Sequence, residues 1–135
     1  MNFVRNLQLK NKTTTIVASN QSGVARGLFD EKRVKEVNNA INVLLKKHRV
    51  TIDRWQYCPD VDEAFATLHP GERWQRGFVK KITKRKPSGA MVTDALLSLE
   101  KTIGDFDEII VLGNSDNDKG LAQTLGARWI DAGKL

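Results

Sequence analysis

Apolar positions recur along this chain in two alternating rhythms. Thr13-Thr14-Thr15-Ile16-Val17-Ala18 is a short β-branched run that ends in polar and glycine residues, which predicts a buried strand closing near Ser19. Asn20-Gln21-Ser22-Gly23 then reads as a turn. Val34, Val37, Ala40, Ile41, Leu44 and Leu45 fall three and four apart, the spacing of a helix with one apolar face. That helix should start at Asp30, gain from Glu31 in its first turn, and finish in Lys46, Lys47 and His48. Ile52, Trp55 and Tyr57 alternate with polar positions as in a strand, which Pro59 stops. From there to about residue 85 the rhythm lapses, and Pro70, Gly71 and Gly77 mark an insertion or long loop with one short helix. Met91, Ala95, Leu96 and Leu99 restore helical spacing. Ile109-Ile110-Val111-Leu112, closed by Gly113, is the most strand-like run. Leu121, Ala122 and Leu125 predict a final short helix stopped by Gly126, and Ala127 to Ile130 a last strand.

Strands alternating with helices at this spacing imply an α/β fold, a Rossmann-like doubly wound parallel sheet with helices on both faces. The 135 residues, 40% of them hydrophobic, suit one domain spanning 1–135 around a single core, with a variable loop at about 60–85. No stretch reaches the roughly 18 apolar residues of a membrane helix, and MNFVRNLQLKNK lacks the apolar segment of a signal peptide, so a cytoplasmic location is expected. Cys58 is the sole cysteine, which leaves no intramolecular disulfide and no cysteine pair for zinc. The formal charge of +6 favours anionic partners. Arg73, Arg76, Lys80, Lys81, Lys84, Arg85 and Lys86 would form one positive surface if their segment is ordered.

In such sheets the polar loops at the carboxyl ends of strands form the ligand crevice. Ser19 to Gly23 sets a hydroxyl, a carboxamide and a run of backbone N–H donors at a strand end, an arrangement that can hold phosphate oxygens and that also occurs in ordinary turns. Gly113 to Asp118 gathers oxygen ligands of the kind Mg²⁺ prefers; a helix N-cap with acidic first-turn residues accounts for the same pattern. Lys86, just before Pro87 and the next helix, could reach the same crevice.

Taken together these stretches resemble the heptose bisphosphate and histidinol-phosphate phosphatase branch of the haloacid dehalogenase superfamily, and also the polynucleotide 3′-phosphatases. Ile16 to Gly27 is similar to that branch's second motif and the loop after it, Trp55 to Pro59 to its strand before the variable loop, and Arg85-Lys86-Pro87 with Gly89 and Met91 to its third motif. Val111 to Asp118 resembles the fourth. The likeness spans about residues 13 to 131. It implies a Mg²⁺-dependent phosphomonoester hydrolase in which an aspartate attacks phosphorus and a second aspartate acts as acid and base. Carried over by position, Ser19 would hydrogen-bond a phosphoryl oxygen, with Asn20 beside it, and Lys86 would neutralise phosphate and nucleophile. Asn114 and Asp118 fall at the metal positions, Arg26 and Arg85 in the substrate loops. The implied substrate is a phosphorylated sugar, another metabolite or a nucleic-acid end.

Three departures bear on activity. The family's paired aspartates lie on a strand some 25 or more residues before the second motif, whereas none of the 18 residues preceding Ser19 is Asp or Glu. Asn114 stands where the family has an aspartate, which should weaken Mg²⁺ binding. The cysteine and histidine zinc loop of some relatives is replaced by the basic segment at 60–84. The expectation is a truncated, split or catalytically impaired phosphatase, lacking its first strand and therefore prone to dimerise or to bind a completing chain through open strand edges, with Met1 to Leu9 rebuilt as a helix or swapped strand. The alternative is a non-catalytic binding protein for a protein partner or for nucleic acid, using Trp55, Trp74 and Phe78 to stack bases.

Overall fold

The structure is a computed structural model describing residues 2–135. Helix α1 (Asn2–Lys10) comes first; strand β1 (Ile16–Asn20) follows it, then a single helical turn α2 (Ser22–Ala25), the long helix α3 (Glu31–Lys47) and strand β2 (Arg54–Cys58). A two-residue strand β3 (Val61–Asp62), helix α4 (Glu63–Leu68) and strand β4 (Val79–Lys80) make up the variable segment. Helix α5 (Ala90–Ser98), strand β5 (Ile110–Gly113), helix α6 (Asp116–Leu125) and strand β6 (Arg128–Asp131) complete the chain.

The parallel α/β arrangement predicted from the alternation of rhythms holds. Three parallel two-stranded ladders carry it: β1 with β2, β3 with β4, and β5 with β6. Val17 lies opposite Trp55 and Asn20 opposite Cys58 in the first, and Gly113 opposite Asp131 in the third. β1 and β5 each keep one open edge among the described residues. α5 packs on β1 and β2, and α6 on β5 and β6. The core is apolar throughout, built from Val24 and Ala25 of α2, Val34 of α3, Met91, Ala95 and Leu96 of α5, Leu121 and Ala122 of α6, Cys58 of β2, Val61 of β3, and Val50 between α3 and β2.

Local chemistry explains most boundaries. Asp30 caps α3 by accepting a hydrogen bond from the Arg33 amide, so the predicted start at Asp30 is the cap itself. Gly126 adopts φ 65° just past α6, a left-handed conformation that glycine takes at little cost, and so ends the helix where the sequence indicated.

Two expectations are corrected. Asn20 to Gly23 is not a turn: Asn20 extends β1, and Ser22 to Ala25 coil into a helical turn. Burial of Val24 and Ala25 draws that turn inward, a gain the polar residues before it concealed. The segment at 60–85 is not merely a loop, because Val61 and Asp62 pair in parallel with Val79 and Lys80. The two pairing positions are too few to leave a strand rhythm in the sequence. Residues 2–10 are helical, one of the two forms anticipated; Met1 lies outside the described residues. The Gln8 carboxamide docks this helix, donating to Thr15 Oγ1 and to the Thr51 carbonyl, both at 2.8 Å, and accepting from the Thr51 amide at 3.1 Å.

Candidate phosphate site

The two polar strand ends meet at Lys86. At the end of β1, the Asn20 carboxamide accepts from the Lys86 backbone amide at 2.8 Å and donates to the Lys86 carbonyl at 3.2 Å. This reciprocal pair fixes the 83–88 segment across the end of the first ladder. From there the Lys86 side chain reaches the end of the third ladder, where Nζ donates to Asp118 Oδ1 at 2.6 Å. Both side chains are nearly enclosed, 12% and 14% exposed. The structure thus brings together Asn20, Lys86 and Asp118, which the sequence separates by 66 and 32 positions.

Ser19 lies on β1 next to this bridge, where its hydroxyl accepts from the Gln21 carboxamide at 3.2 Å. Gln21 is in turn held by its backbone amide to the Cys58 carbonyl at 2.8 Å. Gln21 therefore positions the hydroxyl, a role the sequence reading did not assign.

Asp118 has its other oxygen fully engaged. Oδ2 accepts from Ser115 Oγ at 2.9 Å and from the Asn114 and Ser115 amides at 3.2 and 3.3 Å, while Ser115 Oγ accepts from the Asp118 amide. This is a capping box, legible in the Ser-x-x-Asp spacing. Burial pushes the Asp118 carboxyl up, but the hydrogen bonds from Lys86 and Ser115, the Lys86 charge and the Asn114 amide outweigh it and hold the group below its ordinary value.

The donor set suits a hard divalent cation poorly. Asp118 spends one carboxylate oxygen on Lys86 and the other on the cap, and Asn114 offers an exposed but neutral carboxamide. Among the described residues, no three His, Cys, Asp or Glu side chains gather as a metal site. The residues present do not by themselves hold Mg²⁺.

Beside the bridge is an open pocket of about 500 Å³, lined by Phe65, Lys81, Arg85, Lys86, Pro87 and Asn117 among others. Of these, Phe65 belongs to an aromatic cluster, stacking on His69 at 4.3 Å and meeting Trp74 edge-on at 6.0 Å. Arg85 covers Phe65 at 5.3 Å, and Arg26 covers Trp74 at 5.5 Å with Glu72 Oε1 3.8 Å from its Nε. Arg85 Nη1 and Arg26 Nε are buried without a hydrogen-bond partner. Arg26 and Arg85 thus both pack on aromatic rings of the variable segment, and each keeps one buried N–H without a hydrogen-bond partner.

The basic segment is ordered, but its charges are divided. Lys84 pairs with Asp94 and Lys86 with Asp118, while Arg73, Arg76, Lys80 and Lys81 are exposed. The three aromatic residues considered for base stacking are dispersed. Trp55 lies within β2, Trp74 packs on Phe65 with its indole N–H bonded to the His69 carbonyl, and Phe78 lines a separate cavity with Val24 and Phe29. Cys58 is buried, and that burial pushes its thiol up, so it is no ready nucleophile. No described helix is long and apolar enough to cross a membrane.

No family model matches the chain. It is 33% identical over 86 residues to a D-glycero-D-manno-heptose-1,7-bisphosphate 7-phosphatase of Chlorobaculum tepidum, a match covering 64% of this chain and 39% of that protein. The corresponding enzyme of Photorhabdus laumondii is 31% identical over 96 residues, covering 67% and 46%. That of Haemophilus ducreyi is 28% identical over 123 residues, covering 90% and 60%. The chain thus spans less than half the length of the first two. Among solved structures, the D,D-heptose 1.7-bisphosphate phosphatase of B. bronchiseptica, crystallised with magnesium and phosphate, superposes with a TM-score of 0.64 at 22% identity, covering 95% of this chain and 60% of that one. The fold is the Rossmann-like α/β fold of that enzyme.

Proposed function

Because the chain is homologous to the heptose bisphosphate phosphatases of the haloacid dehalogenase superfamily, we propose that it carries the phosphate-holding part of a phosphomonoester phosphatase site. The observation that carries this reading is the Asn20–Lys86–Asp118 bridge at the joined ends of β1 and β5. Lys86 supplies an ammonium whose partner leaves further donor positions, and the Ser19 hydroxyl lies on the adjacent strand end, so an incoming phosphoryl oxygen would meet one charge and one hydroxyl. The pocket beside the bridge, lined by the cationic Lys81, Arg85 and Lys86, suits the remainder of an anionic substrate such as a phosphorylated sugar.

Hydrolysis by residues 2–135 alone should be impaired. Asp118 is committed to Lys86 and the helix cap, and Asp62 caps α4 by accepting from the Phe65 amide at 2.6 Å, so neither is free to attack phosphorus. Magnesium, when bound in enzymes of this kind, shields phosphoryl charge. Here Asn114 is neutral and both Asp118 oxygens are engaged, so these two residues do not supply that site by themselves. The dispersal of Trp55, Trp74 and Phe78 gives the nucleic-acid alternative no added support.

The test is titration with inorganic phosphate, followed by calorimetry with and without Mg²⁺, alongside an assay of p-nitrophenyl phosphate. Binding should weaken at least about tenfold in Lys86→Met and severalfold in Ser19→Ala, in keeping with loss of a charged and a neutral hydrogen bond. Unchanged phosphate affinity in Lys86→Met would refute the site.

A further inference from the structure

The Lys86 ammonium stands where a metal ion would have to meet Asp118. Among the described residues Asp118 Oδ1 accepts one hydrogen bond, from Lys86 Nζ at 2.6 Å, while Oδ2 is filled by Ser115 Oγ and the Asn114 and Ser115 amides. A cation reaching this carboxylate must therefore displace the ammonium. Packing opposes that, because the turn carrying Lys86 is fitted closely against α6, the helix carrying Asp118. A Cβ on Gly120 would lie 2.9 Å from Pro87 Cβ, and one on Gly89 3.0 Å from Leu125 Cδ2. The reciprocal bonds of Asn20 hold the Lys86 backbone at the end of the first ladder. Neither partner of the ion pair has much solvent into which to relax.

Charge acts in the same direction. The pocket beside the bridge is lined by Lys81, Arg85 and Lys86 against a single carboxylate, Asp62, which already caps α4. A divalent cation entering there meets net positive charge. An ammonium also has more donors than Asp118 uses, so Lys86 keeps others for phosphoryl oxygens. One group can thus join carboxylate to phosphate, a task that a bound metal ion performs in metal-assisted phosphoryl chemistry.

We propose that Lys86 is a built-in cation that excludes divalent metal from Asp118, so that a metal site appears only when Lys86 is removed. For the anion this rests on the phosphate reading; for the metal it stands on the ion pair and is measured without phosphate. Mn²⁺, which suits the same oxygen ligands as Mg²⁺, is titrated into the full chain, with the free ion followed by electron paramagnetic resonance and Mg²⁺ as competitor. Lys86→Met should bind Mn²⁺ at least about tenfold more tightly than wild type, since the carboxylate loses a charged partner. Adding Asp118→Asn should cancel that gain, and Asp118→Asn alone should leave Mn²⁺ binding as it is in wild type. Mg²⁺ should restore part of the phosphate affinity that Lys86→Met loses and leave the wild-type affinity unchanged. Circular dichroism checks folding; if Lys86→Met unfolds, Lys86→Gln, uncharged and able to keep a neutral hydrogen bond to Asp118, decides instead. A folded variant without the Mn²⁺ gain, or wild-type Mn²⁺ binding that Asp118→Asn weakens, would overturn the proposal. A chain that binds no phosphate yet shows the gain would sink the phosphate reading and uphold the exclusion.

Discussion

Replacing Lys86 by methionine tests the joint between the two halves of the site. The ion pair it removes is 2.6 Å long between side chains 12% and 14% exposed, so solvent would replace the lost partner only partly. Removing one member of a buried pair costs about 3–5 kcal/mol. Asp118 keeps Ser115 Oγ and two backbone amides on its second oxygen, and Asn20 keeps both bonds to the residue 86 backbone, which places the expected loss at the low end, about 3 kcal/mol. In a double-mutant cycle with Asp118→Asn, read by urea unfolding at neutral pH, the coupling should be about 2 kcal/mol. The pH dependence has a definite sign. Asp118 is held below its ordinary value, so its stabilisation is complete above the unfolded carboxyl pKa near about 4 and is lost as pH falls through the lower folded value. The gap between wild type and Lys86→Met should therefore close in acid. A coupling below about 0.5 kcal/mol, or a gap constant into strong acid, would refute this account of the joint.

Two other predictions follow from the packing. Tyr57 is the sole tyrosine, and its hydroxyl donates to Glu31 Oε1 at 2.8 Å; burial first, then the Glu31 hydrogen bond and charge, pushes it up to about 12. Absorbance titration should show phenolate forming near that value, with Tyr57's stabilisation complete below about pH 10 and lost as pH rises towards about 12; a midpoint near 10 would contradict the contact. Gly113→Ala should destabilise by about 2 kcal/mol or more, since a Cβ there would lie 2.5 Å from Asp118 Cβ and strain the capping box; thermal unfolding measures it, and a neutral substitution would mean that the β5–α6 turn yields easily.

Much of the molecule follows from local chemistry that any stretch of the sequence carries with it. The β-branched runs at Ile16 and Ile110, the Asp30 cap, the Ser115-x-x-Asp118 box and Gly126 each act within a few residues, and the elements they mark stand close to where spacing put them. The α/β class follows from their order. What tertiary structure decided involves partners far apart in the chain. The parallel pairing of Val61 with Val79 leaves no periodic trace, and the burial of Val24 and Ala25 overrode polar neighbours that spell a turn. The candidate site divides along the same line: Ser19, Asn20, Lys86 and Asp118 could each be picked out as polar groups at the ends of strands or next to a helix start. That Lys86 spans the ends of two separate ladders, and so commits Asp118 to an ion pair instead of to a metal, depends on separations of 66 and 32 residues that no local pattern encodes. The stripe on α3 shows the limit most plainly, because periodicity records that a helix has an apolar side, while only packing settles which side meets the core.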